Sequence, residues 1–423
     1  MQIESSEMRK QASVHYLVRA LAMALPAIML GLQISGWIFF VPSIRDGHPD
    51  FRANYTAGYL VKTGQLHSLY DYDTIESVQN QLISREKVGM PFIHPAYEAL
   101  AYVPFSFLAF HGAYVAFLIT NLLLLLFSYR LLLPELKRLE KAWKPLPIAL
   151  CLTFLPVSAA LMQGQDSILL LTIFVCGWVL FSRNKDFRGG LLLGLGLFRF
   201  QFLIPVYLLF LLWRRWRIVA GITLSASISL LVSILMVGFD GVRSYMTSLA
   251  SMSIGGVSQL DLVRYAQPIE AMGSLRALVS GTLSPWVSAV WVQIVILVLS
   301  LSILFWIGLT ARSETHSSDL LLLAVTASVI VGYHVFTHDL TILLLPIAVW
   351  LSCSIDYAET GTLKHVLWGS ALMFTAPMLI AFPFVHLYWV TLPAMAFLAA
   401  QSDVLRKSQR CTGPAEIRTT AVI

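Results

Sequence analysis

The stretch "GAYVAFLITNLLLLLFSYRLLL", residues 112–133, decides the fold of this chain. Its only charged residue is Arg130, near its end. A helix needs about 20 largely apolar residues to cross the hydrocarbon core of a bilayer. The stretch has that length and that composition, and it therefore predicts a transmembrane helix.

The composition extends this prediction to the whole chain. Of the 423 residues, 57% are hydrophobic and 12% are charged, whereas soluble domains carry about 25% charged residues. Several other runs approach the length of a membrane span. We therefore predict an all-α polytopic membrane protein that is surrounded by membrane lipids.

The net charge of +6 does not indicate a nucleic-acid partner. The basic residues cluster in short loops beside apolar runs, which is the distribution that the positive-inside rule describes for cytoplasmic loops. We expect no binding of nucleic acid. The four cysteines lack the spacing of a metal site, so we expect no structural metal.

Basic residues also orient the first part of the chain. Arg9, Lys10 and Arg19 precede the first apolar run, residues 20–41, and place the N-terminus in the cytoplasm. Residues 42–111 then form a long outer loop, because the basic loop "PELKRLEKAWKP" that follows the span at 112–133 is cytoplasmic. An odd number of crossings must separate an outer loop from a cytoplasmic one, and the span at 112–133 supplies one crossing. Residues 95–110 are therefore predicted to be an interfacial or re-entrant segment, and a crossing at 95–110 is the alternative.

The segment 189–213 is predicted to be a short hairpin with its tip at "LFRFQF". If both of its basic ends are cytoplasmic, about 25 residues must enter the membrane and return to the cytoplasmic side. The glycines would let the two halves of this hairpin pack closely. One helix that breaks the charge rule is the alternative. The basic residues at the two ends are Arg183, Lys185, Arg188, Arg214, Arg215 and Arg217.

The remaining segments complete a single integral membrane domain, residues 1–423. The helices in 112–237 lead to a second outer loop at 238–285 and to C-terminal helices in 286–400. A cytoplasmic tail, 401–423, follows. This arrangement gives about twelve crossings with both termini in the cytoplasm.

On this topology, polar residues gather at outer helix ends and hairpin tips. Ionisable groups at membrane depth are costly and mark functional sites. The sequence therefore predicts one site on the outer face, open to lipid and to water. Its candidate residues are Asp50, His94, Gln165, Asp166, Arg199, Gln201, His334, His338 and Asp339.

The order of five motifs resembles glycosyltransferase family 87. The resemblance implies a GT-C-type bundle of about twelve transmembrane helices, with juxtamembrane helices in the first outer loop. It also implies an enzyme similar to mannosyltransferases that use polyprenol-phosphate-mannose. The motifs are "DFRANYTAGYLVKTG…LYD", "FIHPAYEALAYVPFSFL", "GQDSILLL", "GGLLLGLGLFRFQFLIPVYLLFLLWRRWR" and "HDLTILLLP".

The resemblance implies that Asp50 is the catalytic base. Transfer from a lipid-phosphate sugar requires the acceptor hydroxyl to lose its proton as it attacks the anomeric carbon, and a carboxylate can take that proton. A single displacement would invert the anomeric centre. The alternative is that Asp50 only caps the helix that begins at "FRANYTAGYLVKTG".

The other candidate residues are expected to bind substrate. Arg199 suits the phosphate of the leaving group, because a guanidinium matches phosphate oxygens, and Gln201 is a neighbouring donor. We expect phosphate or sugar contacts from the residues His94, His334, His338 and Asp339. Gln165 and Asp166 would orient the acceptor, or Asp166 would cap a helix, and Tyr55 lies about one turn past Asp50 on the same face.

Together with the topology, the resemblance implies an inverting hexosyltransferase in the plasma (inner) membrane, with its active site on the outer face. The expected donor is a polyprenyl-phosphate sugar, with mannose preferred, and the expected acceptor is a hydroxyl of a lipid or a glycan. We expect neither a cofactor nor a metal. A multi-pass transporter or lipid flippase is the main alternative, and an inactive assembly partner is a further one.

Overall fold

The structure is a computed structural model that describes residues 27–84, 89–141, 143–254, 268–310, 315–356, 369 and 386–406. Every regular element in these ranges is an α-helix or a 3₁₀ turn, which confirms the all-α prediction. Three predicted parts lie outside the described residues: residues 357–368 and 370–385 of the C-terminal helices, the beginning of the first helix, and the tail beyond residue 406.

The helices are numbered in chain order. The first ten are α1 (Ala27–Arg45), α2 (Phe51–Lys62), α3 (Tyr72–Leu82), α4 (Ala99–Tyr102), α5 (Phe110–Leu136), α6 (Leu146–Thr153), α7 (Leu155–Gln163), α8 (Ser167–Ser182), α9 (Asp186–Gly194) and α10 (Phe200–Leu212). The others are α11 (Trp216–Ile254), α12 (Leu275–Leu283), α13 (Ala289–Gly308), α14 (Ser317–Val331), α15 (Leu344–Asp356) and α16 (Thr391–Arg406).

Five helical stretches in the described residues are long and apolar enough to cross a membrane, and the bent pair α6–α7 raises this number to six. The predicted count of about twelve crossings is therefore not reached in the part of the chain that the structure describes. Several predicted spans correspond to shorter apolar helices, among them α8 and α14. The chain is a multi-pass membrane protein, but its helices are less uniform than the hydropathy pattern suggests.

The core explains why some of these helices are short. In α14, every side chain from Leu320 to Ile330 is buried, so protein rather than lipid surrounds this helix. In contrast, α5 and α13 expose long rows of large apolar side chains, as expected of helices at the lipid boundary. A helix enclosed by other helices need not match the thickness of the bilayer.

In the loop predicted to lie on the outer face, the described residues between α1 and α5 form short helices and no long apolar helix. After α2 and α3, the piece predicted to be interfacial or re-entrant forms a 3₁₀ turn, the short helix α4 and a second 3₁₀ turn, Phe105–Phe107. Four residues of α-helix extend roughly 6 Å, far less than the roughly 30 Å of the hydrocarbon core. Residues 95–110 therefore do not cross a bilayer as a helix.

The segment from α9 to α10 turns back on itself. Ser317 at the start of α14 donates a hydrogen bond to Asp186, and Arg215, just past α10, donates one to the carbonyl of Thr315. The beginning of α9 and the end of α10 thus lie at the same end of α14. Near the other end of α14, a Cβ added at Gly332 would lie 3.4 Å from the ring of Phe202, at the start of α10.

The glycines of this segment do not join α9 to α10. A Cβ added at Gly190 would lie 2.4 Å from the carbonyl oxygen of Ile218 in α11, and one added at Gly194 would lie 2.6 Å from that of Ile222. Gly189 instead faces the ring of Phe181 in α8. The expectation that these glycines pack the two halves together is therefore corrected: they pack α9 against α11 and α8.

Helix α11 continues into the region predicted as the second outer loop. It is 39 residues long and is kinked at Gly238, which has a φ of 69°. This positive φ is readily adopted by glycine, so the chain changes direction and then remains helical to Ile254. Leu249 beyond the kink lines the largest cavity described below.

Candidate active site

Asp50 lies at the N-terminus of α2, and its carboxylate is joined to the turn between α7 and α8. The side-chain amide of Gln165 donates a 2.6 Å hydrogen bond to Oδ2 of Asp50. Two segments that are 115 residues apart in the chain therefore meet at one carboxylate. The structure therefore brings the side chains of Asp50 and Gln165 together.

A glycine and an aromatic ring produce this contact. Gly164 ends α7 in the left-handed conformation, with a φ of 63°, and a Cβ there would lie 2.7 Å from Cβ of Phe51. Phe51 is completely buried, and its ring stacks on that of Phe117 in α5, with centroids 4.8 Å apart. The packing of Phe51 on Gly164 brings their neighbours, Asp50 and Gln165, together.

Arg199 lies at the tip of the α9–α10 segment and contacts three acceptors. It forms a close ion pair with Asp166, and its Nε donates to Oδ1 of Asp166 at 2.8 Å. Its Nη2 donates to Oε1 of Gln165 at 2.7 Å, and its Nη1 lies 3.1 Å from Oδ1 of Asp339. One guanidinium thus connects α10, the α7–α8 turn and the segment before α15.

Neither Asp50 nor Asp166 acts as a helix cap. Both occupy N-cap positions, of α2 and α8, but neither side chain makes a capping hydrogen bond. Asp71 shows the contrast, because its carboxylate accepts the backbone N–H of Thr74 at the start of α3. The capping alternative is therefore excluded for Asp50 and for Asp166.

Burial and charge shift the two carboxyl groups in opposite directions. Burial raises the pKa of Asp50, and this effect is only partly offset by His338, Gln165 and Arg199. Burial would also raise the pKa of Asp166, but the attraction of Arg199 outweighs it and holds that pKa below its ordinary value. Asp166 is thus a permanent charge, whereas Asp50 can hold a proton more readily than an ordinary aspartate.

His94 forms a buried pair with Glu98. Its Nδ1 lies 2.5 Å from Oε2 of Glu98 and 3.4 Å from Oδ2 of Asp166, and the hydroxyl of Tyr102 donates to Oε1 of Glu98. Burial raises the pKa of Glu98 to about 7. Burial would lower the pKa of His94, but the carboxylate of Glu98 outweighs it and the pKa is raised, so the pair can share a proton near neutral pH.

His94, Glu98 and Asp166 are also the one group of potential metal ligands found among the described residues, with ligand atoms within 4.8 Å of one another. Two ligands at zinc distances around a tetrahedral ion are roughly 3.3 Å apart. The 2.5 Å between His94 and Glu98 is instead a hydrogen-bond distance, and Arg199 already neutralises Asp166. The arrangement fits a shared proton better than a cation.

Two cavities meet at this cluster. The smaller cavity, of about 150 Å³, is bordered by Asp50, Asn54, Gln165 and His338. The larger one, of about 430 Å³, is bordered by His334, Gln201 and Asp339 together with Phe198, Phe200 and Leu249. They share a wall that consists of Ile93, His94, Arg199 and Phe336.

The aromatic side of the larger cavity leads to a second arginine. Tyr333 and His334 line the cavity, and Arg276 from α12 lies behind them, 8% exposed. Nη1 of Arg276 is 3.2 Å from Nδ1 of His334 and 3.3 Å from the carbonyl oxygen of Tyr333. The guanidinium carbon lies 3.7 Å from the centroid of the Tyr333 ring, which is a stacked cation–π geometry.

The structure brings most of the predicted site residues to the cavities, but Tyr55 lies elsewhere. Its hydroxyl donates to the carbonyl oxygen of Leu108, and its ring packs edge-on against Phe110. Tyr55 borders neither cavity, so its expected contact with substrate is corrected to a packing role. Asp166 lies behind Arg199 and does not border a cavity either.

Several residues at or beside the two cavities were not among the candidates predicted from the sequence. They are Asn54, Glu98, Arg276 and Phe336. The spacing of Glu98, four residues after His94, was a usable signal for a pair on one helical face. Arg276 and Phe336 gave no such signal. Arg276 contacts Tyr333 and His334, which are 57 and 58 residues away, and Phe336 pairs with the distant Met272.

A multi-pass helical bundle that encloses a buried ion pair, Asp166 with Arg199, beside two cavities defines an integral membrane protein with an internal polar site. The chain belongs to glycosyltransferase family 87, whose sequence model matches residues 92–332. No curated protein and no solved structure matches the chain. The match includes His94, Gln165, Asp166, Arg199 and Arg276, whereas Asp50, His334 and Asp339 lie outside it.

Proposed function

We propose that this glycosyltransferase moves a hexose from a polyprenyl-phosphate sugar to a hydroxyl of a lipid or glycan acceptor, with inversion at the anomeric carbon. Mannose is the first sugar to test. The observation that carries the proposal is the position of Asp50, a half-buried carboxylate on the wall of the smaller cavity. Gln165 joins this carboxylate to Arg199, which borders both cavities.

Asp50 is the proposed base. The acceptor oxygen forms a bond with the anomeric carbon while the bond from that carbon to the phosphate oxygen breaks. The acceptor proton passes to the Asp50 carboxylate, and the electron pair of the broken bond leaves with the polyprenyl phosphate. The raised pKa of Asp50 favours this role, because a stronger base takes the proton more readily at neutral pH.

The two cavities suggest separate places for the two substrates. The smaller one has polar walls, including Asp50, Asn54, Gln165 and His338, and suits the sugar and the attacking hydroxyl. The larger one has aromatic and aliphatic walls, and suits the phosphate end of a lipid donor. The reacting bond would then lie near their shared wall, at Arg199 and His94.

The polar residues around the wall would bind the donor. Arg199 faces both cavities and is proposed to contact the phosphate at its junction with the sugar. Gln201, His334 and Asp339 line the donor side, whereas His338 lines the acceptor side together with Gln165. Asp166 would act indirectly, by fixing Arg199.

The proposal includes a location. A polyprenyl-phosphate sugar carries its own activated leaving group in the membrane, so the reaction can proceed on the outer face of the plasma membrane, and we place the active site there. Neither a metal nor a cofactor enters the proposed step. The alternative that the chain is a transporter is less well supported, because family membership indicates an enzyme.

The test is sugar transfer by the purified full chain in lipid nanodiscs. Radiolabelled undecaprenyl-phosphate mannose, glucose and galactose would be offered with membrane lipid extract as the source of acceptors. We expect labelled product from one donor, and a loss of about 10²–10⁴-fold in the rate for Asp50→Asn. Undiminished turnover by Asp50→Asn would remove Asp50 as the base, and no transfer from any donor would refute the proposed donor class.

A further inference from the structure

The charges that line the larger cavity nearly cancel. Arg199 is matched by two carboxylates, those of Asp166 and Asp339. The imidazole of His94 is matched by Glu98. An anion that enters this cavity would therefore meet no net positive charge from the groups on its walls, although a phosphate needs one.

Arg276 is different. It is almost fully buried, and among the described residues no carboxylate lies within ion-pair distance of it. Its contacts are the ring of Tyr333, the imidazole of His334 and one carbonyl oxygen, and its Nε has no hydrogen-bond partner within the described part of the chain. A buried cation without a counter-ion is costly, so such a group is expected where an anion is to bind.

Tyr333 and His334 connect this charge with the cavity. Both residues border it, and Arg276 lies directly behind them at contact distances of 3.2–3.7 Å. A low-dielectric protein wall screens a charge far less than water does. The positive potential of Arg276 is therefore felt at the His334 face of the cavity.

We propose that Arg276, held against Tyr333 and His334, supplies the uncompensated positive charge that binds a phosphate group in the larger cavity. The identification of this phosphate as that of a polyprenyl-phosphate donor rests on the proposed function. In this arrangement Arg199, whose charge is balanced by Asp166 and Asp339, contacts the phosphate at its junction with the sugar, and Arg276 provides the net charge that retains the anion.

The ionisation of His334 agrees with this assignment. Burial lowers its pKa to about 3, and the nearby Arg276 contributes to the shift. The imidazole is thus neutral at physiological pH and can donate one N–H to a phosphate oxygen. The positive charge in this part of the cavity therefore comes from Arg276, and His334 contributes an oriented hydrogen-bond donor.

The test measures equilibrium binding by the full chain in phosphatidylcholine nanodiscs, without turnover. Three probes separate the sources of affinity: radiolabelled undecaprenyl phosphate, the neutral undecaprenol and inorganic phosphate. The variant is Arg276→Gln. The control is Lys62→Gln, because Lys62 is a cation of the first outer loop that bonds to the carbonyl of Ser106 and borders neither cavity.

We expect Arg276→Gln to bind undecaprenyl phosphate about 10- to 100-fold more weakly than the wild type, as for the loss of a charge-assisted contact. Binding of undecaprenol should not change, and Lys62→Gln should bind like the wild type. If only inorganic phosphate loses affinity, the site takes a free anion rather than a lipid, and the lipid part is wrong. Equal binding of undecaprenyl phosphate by Arg276→Gln and the wild type would overturn the proposal.

A second pair of variants keeps the test valid if Arg276→Gln does not fold. His334→Glu would place a carboxylate beside Arg276 and neutralise its charge, whereas His334→Asn removes the ring and leaves the charge. Binding should fall further in His334→Glu, and equal losses would contradict the proposal. Arg276-dependent binding without sugar transfer would refute the proposed function alone, and transfer with Arg276-independent binding would refute this inference alone.

Discussion

Gln165 donates a hydrogen bond to Asp50 at 2.6 Å and accepts one from Arg199 at 2.7 Å. One amide thus links the proposed base to the guanidinium at the hairpin tip. The orientation of the amide is fixed from both sides, because its nitrogen must face the carboxylate and its oxygen must face the guanidinium. Asp50 is therefore held in position by a residue that is itself held by Arg199.

Asp50→Asn should abolish most activity without loss of stability. A carboxyl group whose pKa is raised by folding binds protons more tightly in the folded state, so its charged form destabilises the fold at neutral pH. The amide removes that charge. We expect a melting temperature equal to or above that of the wild type, together with the loss of transfer given above.

Asp71→Asn is the matched control for this variant. Asp71 is another carboxylate of the first outer loop, but it caps α3, and asparagine caps a helix about equally well. Its activity and its melting temperature should both stay near the wild-type values. A large fall in the melting temperature of Asp50→Asn would show that the charged carboxylate stabilises the fold.

The pH dependence of kcat/KM should show an acid limb that belongs to Asp50. The proposed base acts only when it is ionised, and its pKa is raised by burial. Activity should therefore fall as the pH drops through that raised value, at higher pH than for an ordinary aspartate. A pH–rate profile of the wild type checks this, and a residual activity of Asp50→Asn with the same acid limb would assign the limb to another group.

Gln165→Glu should move the acid limb to still higher pH. The new carboxyl would lie at about the hydrogen-bonding distance from Asp50, and two carboxylates that share a site raise the pKa of one of them. Gln165→Leu removes the hydrogen bond without adding a charge, so its shift should have the same sign but a smaller size. An acid limb at the same pH in the wild type, Gln165→Glu and Gln165→Leu would mean that the hydrogen bond from Gln165 does not affect the pKa of the titrating group.

Gly164→Ala should reduce both stability and activity, whereas Gly64→Ala should reduce stability alone. Both glycines have a positive φ, 63° and 75°, so each substitution costs about 1–2 kcal/mol from the backbone. Only at Gly164 does the new methyl meet another atom, the Cβ of Phe51 at 2.7 Å. Thermal unfolding and transfer rates would separate the two, and normal activity in Gly164→Ala would contradict the positioning role.

Arg199→Leu should destabilise the protein by about 3–5 kcal/mol, because it leaves the buried charges of Asp166 and Asp339 without a partner. Arg199→Leu combined with Asp166→Asn should recover part of the stability but no activity. Arg217→Leu, at the exposed start of α11, is the control and should change stability by less than about 0.5 kcal/mol. Unfolding by heat in nanodiscs measures all of these differences.

The sequence predicted the helical membrane fold and the grouping of most site residues, for identifiable reasons. Charge in the short loops determines which end of each helix faces which side, so it also determines which polar residues share an end. Asp50, Gln165, Arg199 and Asp339 were grouped by that rule, and their hydrogen bonds and ion pairs show that they meet. Their roles in catalysis stay predictions.

Other features could not be predicted from a hydropathy pattern. The length of α14 follows from its burial on all sides, and burial depends on helices that are distant in sequence. Tyr55 lies one turn past Asp50, but α2 is buried on nearly every face from Phe51 to Gly58, so sharing a face with Asp50 does not give access to the cavity. In the sequence, Arg276 is one of several charged residues in the loop at 238–285. Only its contacts with Tyr333 and His334 in the structure distinguish it from the others.

The return of the chain between Asp186 and Leu212 bears on how the protein is made. These 27 residues are apolar enough to enter a membrane as one span. However, Asp186 and Arg215 contact Ser317 and Thr315 at the start of α14, which are 131 and 100 residues further along the chain. The newly made segment therefore lacks its final partners when it is inserted. Asp339, one of the carboxylates that contact Arg199, also lies later in the chain. The site can therefore be complete only when this later part of the bundle has been made.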